Sequence, residues 1–184
     1  MTAVLTPATL PAVPSALAKL GIGLHPQDSD SLPFLVHLFI QTRWDELAGS
    51  GWPDQQKSAF LTQQFTFQDL HYTQYYPQAA RGIITQGAQP IGRLFLDALP
   101  GELRIVDIAL LPAHRSHGIG TALISAVLEQ AWTRGEVITI HVEMFNRARQ
   151  LYRRLGFVDI GGDEVYRKME LRPSNCRSTE SSVS

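Results

Sequence analysis

The stretch Leu103-Arg-Ile-Val-Asp-Ile-Ala-Leu-Leu-Pro-Ala-His-Arg-Ser-His-Gly-Ile-Gly-Thr121 contains the end of one structural element and the start of the next. Residues 103–111 are mostly apolar and predict a buried β-strand. Pro112 ends that strand, and a short polar loop leads to Gly118 and Gly120. From there, apolar residues at helical spacing predict a helix that runs to about Arg134. A buried strand joined to a helix in this way is typical of a sheet flanked by helices.

Apolar residues recur at helical or strand spacing in further segments on both sides of this stretch. They predict helices at 32–47, 53–75 and 146–155, and strands at 82–85, 91–96, 137–142, 157–160 and 165–171. The resulting order is α-α-β-β-β-α-β-α-β-β. We interpret this order as an α/β fold of the α+β type, with a mixed sheet between helices.

Both ends of the chain are predicted to be disordered. Prolines at positions 7, 11 and 14 interrupt the first twenty residues, and each removes a backbone donor. The tail at 172–184 is polar and has almost no apolar side chain with which to offset the entropy of ordering. We therefore expect one domain at 21–171, between a disordered segment at 1–20 and a disordered tail at 172–184.

Composition excludes several classes of function. The 184 residues include 16 Lys and Arg against 17 Asp and Glu, so no basic surface is expected for nucleic acid or for an anionic membrane. No apolar run reaches the ~20 residues that span a bilayer. Cys176 is the single cysteine, and the N-terminal segment lacks the early positive charge of a secretion signal. We expect a cytoplasmic globular protein.

The loop before the helix predicts an anion site. The first amides of a helix have no intrahelical acceptor and lie at the positive end of the helix dipole. Glycines at 118 and 120 remove the Cβ atoms that would hold a phosphate away, and Arg115 adds a fixed positive charge. A Gly-x-Gly pair is also common in simple turns. Leu123 stands where a dinucleotide fingerprint needs a third glycine, and no Lys-Ser or Lys-Thr follows as in a P-loop.

A second motif, Asn146-Arg-Ala-Arg-Gln-Leu-Tyr-Arg-Arg-Leu-Gly-Phe157, follows the next predicted strand. The two motifs together resemble the GNAT superfamily of acetyl-CoA-dependent N-acetyltransferases. Its phosphate loop, Gln/Arg-x-x-Gly-x-Gly/Ala, is matched by Arg115-Ser-His-Gly-Ile-Gly120, and its later signature by Asn146, Ala148 and the run Leu151-Tyr-x-x-Leu-Gly-Phe157. The resemblance spans about 91–171. It implies a three-layer fold around a mixed, mostly antiparallel sheet of six to seven strands.

The resemblance also implies roles for individual residues. Acetyl-CoA would be the acyl donor, with no metal required. The residues implied in its binding are Ile108, Ala109, Leu110, Arg115, Ser116, His117, Gly118, Ile119, Gly120, Thr121, Asn146 and Tyr152. Tyr152 matches the tyrosine that often acts as general acid toward the departing thiolate; the alternative is a core tyrosine beside Leu151 and Leu155.

An amine that attacks a thioester must lose a proton, and three residues are candidates to accept it. Asp107 lies in the strand that leads to the loop, while His141 and Glu143 alternate on the next strand and should point to the same side. A buried Asp satisfied by backbone donors, a hydrogen-bonded core His, or an ordered water as the base are the alternatives. The sequence leaves this choice open.

The predicted function is acetyl transfer from acetyl-CoA to a primary amine by direct attack in a ternary complex. The acceptor is open among small amines, amino acids, antibiotics, peptide N-termini and lysine side chains, and a homodimer is possible. The aromatic residues of the first two predicted helices could line the acceptor pocket or simply form a core. The main alternative is a non-catalytic module that binds acyl-CoA to regulate a partner; a different nucleotide binder is a weaker third.

Overall fold

The computed structural model describes residues 7–144, 146 and 148–173. Its α-helices are α1 (Ser15–Ala18), α2 (Leu32–Arg43), α3 (Asp54–Tyr75), α4 (Ile119–Thr133) and α5 (Ala148–Arg154). Short 3-10 turns lie at Ser29–Ser31, Trp44–Ser50 and Pro112–His114. None of the helices within the described residues combines the length and the hydropathy needed to cross a bilayer.

Seven strands form one mixed sheet in the order β1-β2-β3-β4-β5-β7-β6. The strands are β1 (Ile22–Pro26), β2 (Ala80–Gln86), β3 (Gln89–Leu99), β4 (Glu102–Leu110), β5 (Val137–Glu143), β6 (Val158–Gly162) and β7 (Tyr166–Leu171). Only β4 and β5 pair in parallel; the other neighbours are antiparallel. The predicted fold class, mixed sheet and element order are confirmed.

The central parallel pair is joined over only half its length. Its register runs from Glu102 opposite Val137 to Ile105 opposite Ile140 and ends there. A β-bulge in β4 shifts its register with β3 at the same level, between the partners of Phe95 and Leu96. A bulge bends a strand and increases its twist. Beyond Ile105, β4 and β5 therefore diverge toward their carboxyl ends and leave an opening in the middle of the sheet.

Helices cover the two faces of the sheet with separate apolar clusters. Neighbouring residues of a strand point to opposite faces, and Ile84 joins one cluster while Ile83 joins the other. The larger cluster holds the buried side of α4 together with Tyr152 of α5. The smaller one holds buried residues of α2 and α3. We call the face of the sheet that carries the larger cluster the α4 face, and the face that carries the smaller cluster the α3 face.

The beginning of the chain departs from the predicted domain boundary at residue 21. Leu17 of α1 is buried in the larger cluster, and Ala8 and Val13 pack against it. The Gln130 side chain of α4 donates to the backbone oxygen of Thr9 at 3.0 Å. Prolines interrupt residues 7–14, which form no helix or strand, but this segment and α1 still bury apolar side chains. Residues 1–6, and residues 174–184 of the tail predicted at 172–184, lie outside the described residues.

Two further differences concern short elements. Ile22–Pro26 forms the edge strand β1, which the sequence did not predict. The helix expected at 32–47 ends at Arg43, and the chain continues as a 3-10 turn up to Gly51, whose φ is +70°. The 3-10 turn is shorter than the window over which helical periodicity is informative, and β1 offers only two large apolar side chains, Ile22 and Leu24.

Candidate active site

The opening between β4 and β5 places backbone groups where a ligand can reach them. The N–H of Leu111 donates to the carbonyl of Ile91 at 2.9 Å, so this position is bonded to β3. Because backbone groups alternate in direction along an antiparallel ladder, Leu110 and Ile108 turn theirs away from β3 and toward the opening. The sequence predicted cofactor contacts for the stretch 108–110, which forms this edge.

The loop that follows β4 carries a run of free backbone donors. Among the described residues, none accepts a hydrogen bond from the amides of the segment Ser116–Thr121. Helix α4 also has no side-chain cap at its N-terminus. Ser116 and Gly118 have φ values of +63° and +79°, a backbone region that costs a non-glycine residue about 1–2 kcal/mol. Unpaired donors at the positive end of a helix form a site suited to a phosphate.

Space around this loop is compatible with a ligand. A Cβ added at Gly118 would meet no atom within 4 Å, and one at Gly120 would meet only Leu110, at 3.9 Å. Arg115, predicted to add charge for a phosphate, instead places its Nε 3.0 Å from the carbonyl of Leu110. This contact anchors the loop to the end of β4 and uses one of the backbone oxygens expected to face the cofactor. The donor groups between 116 and 121 thus fit a diphosphate.

Asn146 lies two residues before α5, on the other side of the opening. Its side-chain Oδ1 accepts from the amide of Ala148 at 2.9 Å, so this oxygen caps the helix. Within the part of the chain that the structure describes, the amide nitrogen of the same side chain makes no hydrogen bond. The predicted contact between Asn146 and the cofactor would therefore use that nitrogen. Phe145 and Arg147, its neighbours, lie outside the described residues.

Tyr152 is buried on the α4 face, with its ring packed edge-on to Phe157 at a centroid distance of 5.8 Å. Burial raises the pKa of its hydroxyl, and the charge of Asp107 adds to the effect. The hydroxyl therefore keeps its proton at neutral pH. No acceptor for that proton is found among the described residues. The side chain is thus a core residue that also holds an available donor.

Asp107 lies on the α3 face, since its register partner is Phe95 and Tyr72 of α3 contacts both. Its Oδ2 forms an ion pair with the buried guanidinium of Arg93 and accepts from the Tyr72 hydroxyl at 3.2 Å. Arg93 also donates to Gln68 of α3 at 2.6 Å. The contacts of Arg93, Tyr72 and Gln68 around Asp107 were not predicted from the sequence. A charged residue within the apolar run at 91–96, beside a strand that carries Asp107, was the signal that pointed to one of them.

His141 and Glu143 share the α3 face of β5. Ile140, which precedes His141, and Val142, which lies between the two, belong to the α4-face cluster. Partial burial, followed by the charges of Arg104 and Lys168, lowers the pKa of His141. Glu143 pairs with Arg43 at the end of α2, with 3.1 Å between Nη2 and Oε1. The structure thus brings all three predicted proton acceptors to one face, at the level where the strands diverge.

Of the aromatic residues considered for the acceptor pocket, Trp44 packs in the α2–α3 cluster beneath Lys57. Tyr72 faces Asp107, whereas Tyr75, the last residue of α3, is 63% exposed. The core interpretation therefore holds for Trp44, and Tyr72 is the aromatic residue of this set that contacts a candidate catalytic side chain.

A sequence profile described as the acetyltransferase (GNAT) family matches residues 41–157, more than half of the chain. The chain belongs to the GNAT acetyltransferase family. The resemblance carried by the two motifs is confirmed. The GNAT profile begins in α2 and ends just after α5, so it includes the diverging strands and the loop with free amides.

Solved structures share the GNAT fold at low sequence identity. The PaiA N-acetyltransferase from Thermoplasma acidophilum, in complex with coenzyme A, has a TM-score of 0.64 and 14% identity, covering 83% of this chain and 99% of that chain. The ribosomal-protein-S18-alanine N-acetyltransferase from Escherichia coli has a TM-score of 0.55 and 18% identity, covering 82% and 93%. An acetyltransferase from Salmonella typhimurium that modifies the N-terminal serine of ribosomal protein L7/L12 has a TM-score of 0.57 and 17% identity, covering 83% and 95%.

Proposed function

We propose that this GNAT protein transfers an acetyl group from acetyl-CoA to a primary amine by direct attack in a ternary complex. The observation that carries the proposal is the run of unpartnered amides at 116–121, placed beside the opening between β4 and β5. Those amides would hold the diphosphate of the donor. The opening would then admit the acyl arm between the two strands.

The two substrates would approach from opposite faces of the sheet. The loop amides and Tyr152 belong to the α4 side, where the donor would bind. Asp107, His141 and Glu143 lie on the α3 face, where the amine would enter. A thioester seated in the opening supplies an activated acyl carbon, and the cleft-facing amides of β4 would polarise its carbonyl oxygen.

Tyr152 would donate a proton to the departing sulfur. Its raised pKa keeps the hydroxyl protonated, and no described residue accepts that proton in the structure. As the amine nitrogen bonds to the acyl carbon and the carbon–sulfur bond breaks, the hydroxyl can donate to the thiolate. A positioned donor of this kind contributes about 10²–10⁴-fold to a rate.

Asp107 is our first candidate to receive the proton of the amine. Asp107 lies on β4 two residues beyond Ile105, the last residue of this strand that pairs with β5, so it borders the opening. Glu143 is paired with Arg43 as Asp107 is with Arg93, and His141 lies among the cations Arg104 and Lys168. The variants Asp107→Asn, His141→Gln and Glu143→Gln separate the three, and we expect the first to lose the most turnover.

We propose no acceptor more specific than a primary amine, on a small molecule or a protein. Two of the solved neighbours are named for ribosomal proteins, one of them for an N-terminal serine, which makes a peptide N-terminus a reasonable first substrate to try. The other groups to be tested are an aminoglycoside, a free amino acid, 1,4-diaminobutane and an Nα-blocked lysine.

Calorimetric titration with acetyl-CoA, followed by a thiol-release assay on this amine panel, tests the proposal. Saturable binding and release of CoA with at least one amine is the expected result. If acetyl-CoA does not bind, the proposal is wrong. If it binds tightly but no amine releases thiol, the non-catalytic acyl-CoA module is favoured instead.

A further inference from the structure

We infer that Arg93 is a positioning residue for the acetyl transfer, which fixes the Asp107 carboxylate so that one of its oxygens faces the incoming amine. This inference rests on the proposed function. It assigns a task to a buried residue of β3 that lies outside both sequence motifs.

Arg93 is held on several sides. Its guanidinium lies 5.3 Å from the ring centre of Phe95 and 5.8 Å from that of Tyr72. Nη2 bonds the side-chain oxygen of Gln68 at 2.6 Å and forms the ion pair with Asp107. The Arg93 side chain is only 5% exposed. A guanidinium in contact with a helix residue, two neighbouring rings and a carboxylate has little freedom to move.

The contacts of Asp107 are unequal at its two oxygens. Oδ2 receives both the Arg93 guanidinium and the Tyr72 hydroxyl. Among the described residues, none donates a hydrogen bond to Oδ1, and this oxygen is not fully buried. With one oxygen fixed from β3 and α3, the plane of the carboxylate is set, and the other oxygen can accept a hydrogen bond from a substrate amine.

The contacts of Arg93 are those of a charge placed for a purpose other than stability. Its Nε is buried and has no hydrogen-bond partner within the described residues. Burying an ion pair is costly, and apolar side chains of similar volume are often as stable or more stable. An arginine at such a position, with one donor unsatisfied, is better explained by its effect on the orientation of the Asp107 carboxylate.

Arg81 offers a matched control. It lies on the next strand and also stacks on Phe95, at 5.5 Å, and it pairs with Asp69 of α3 at 3.8 Å. It thus shares the ring and the helix with Arg93, but it does not contact Asp107. A purely structural role for arginines between the sheet and α3 would apply to both residues.

The experiment compares Arg93→Gln, Arg93→Lys and Arg81→Gln with the amine of the panel that is turned over best. We expect Arg93→Gln to lower kcat/KM for the amine at least tenfold, while the Kd for acetyl-CoA stays within twofold. Arg93→Lys keeps the charge and should recover part of the loss. Arg81→Gln should stay within twofold of wild type in both measurements.

A double-mutant cycle tests whether Arg93 acts through Asp107. In an Asp107→Asn background, Arg93→Gln should cause no further loss of kcat/KM. Losses that multiply in the double variant, equal losses in Arg81→Gln, or an unchanged rate in Arg93→Gln would each overturn the inference.

If thermal melting shows that Arg93→Gln does not fold, Tyr72→Phe decides, since it removes only the second donor to Oδ2. It should lower the rate several-fold in the wild-type background and leave Asp107→Asn unaffected; equal effects in both backgrounds would refute the role. A wild-type protein that neither binds acetyl-CoA nor acetylates any amine would refute the proposed function itself. Normal turnover by Asp107→Asn would leave that function standing and remove the role of Arg93.

Discussion

The hydroxyl of Tyr152 is a proton donor surrounded by apolar side chains, with the charge of Asp107 close enough to raise its pKa further. Removing this single oxygen in Tyr152→Phe should lower kcat by roughly a hundredfold, the scale of a lost general acid. Affinity for acetyl-CoA, measured by calorimetry, should stay within about twofold because the loop amides are untouched. The melting temperature should change little, since phenylalanine keeps the edge contact with Phe157.

Tyr75→Phe is the control for this change, because Tyr75 is 63% exposed on α3. It should match wild type in turnover, affinity and melting temperature. A Tyr152→Phe protein with normal kcat would show that the residue is a core tyrosine and that the thiolate leaves without its help.

At the level of single residues, sequence alone located the candidates but not their electrostatic partners. Asp107 stood out as a charge within an apolar strand, yet its ion pair with Arg93 depends on the register of two strands and on a bulge. Gln68 and Tyr72 reach the pair from a helix that precedes both strands. Contacts of this kind are set by tertiary packing, and local patterns carry no information about them. The roles of these residues in the reaction stay predictions.

Helix α4 begins with a turn that is open to ligands, and Gly120 lies in that turn. Gly120→Glu should abolish acetyl-CoA binding in calorimetry, because it places a side chain and a negative charge where a phosphate would sit. Gly120→Ala separates the two effects. Its Cβ would lie 3.9 Å from Leu110, so the helix should gain up to about 1 kcal/mol of stability while binding weakens only partly.

Gly49→Glu is the matched surface change, because a Cβ at Gly49 would meet no atom within 4 Å. It should leave acetyl-CoA binding unaltered. Tight binding by Gly120→Glu would contradict the assignment of the diphosphate to this turn.

The segment before β1, which includes α1, is part of the packed structure, although its prolines predicted disorder. Leu17 is 5% exposed within the larger cluster, whereas Leu20, three residues later, is 63% exposed. Leu17→Ala should therefore lower the free energy of unfolding in urea by about 2–4 kcal/mol. Leu20→Ala should cost less than about 0.5 kcal/mol. Equal small effects at both positions would mean that the segment is not held against the sheet.

At the level of elements, predictions succeeded where the apolar pattern was long. The helix expected at 118–134 and the strand expected at 103–111 match α4 and β4 to within one residue at each end. The helix α1 and the strand β1, which span four and five residues, were missed. Elements that short gain their stability from packing on neighbours rather than from intrinsic propensity.

Across the whole molecule, the sheet is closed where β4 and β5 are paired and open beyond the last pair. At the closed end, on the α3 face, the Glu102 carboxylate accepts from Thr139 of β5 at 2.5 Å and from Arg104 at 2.8 Å. Lys168 of β7 lies 3.6 Å from its second oxygen. Three neighbouring strands are thus tied together just below the level where the opening begins. The sequence indicated the strands, but this arrangement depends on their order in the sheet.

The Glu102 tie makes stability depend on pH. Burial alone would raise the pKa of Glu102, but the hydrogen bonds from Thr139 and Arg104, with the charges of Arg104 and Lys168, outweigh it and lower the pKa below its usual 4.5. A carboxyl whose pKa is lowered by folding stabilises the native state above pH 4.5, and this contribution is lost as the pH falls through the lower folded value. Glu102→Gln should therefore reduce the free energy of unfolding at pH 7 by about 1–3 kcal/mol.

Urea unfolding of wild type and Glu102→Gln at several pH values between 7 and 3 measures this dependence. The gap between the two proteins should be constant down to about pH 4.5 and should shrink below it, because wild-type Glu102 then becomes neutral as well. Asp54→Asn is the control, since the Asp54 side chain is 86% exposed and should give no such gap. A gap that is the same at pH 3 as at pH 7 would mean that Glu102 acts through its shape and not through its charge.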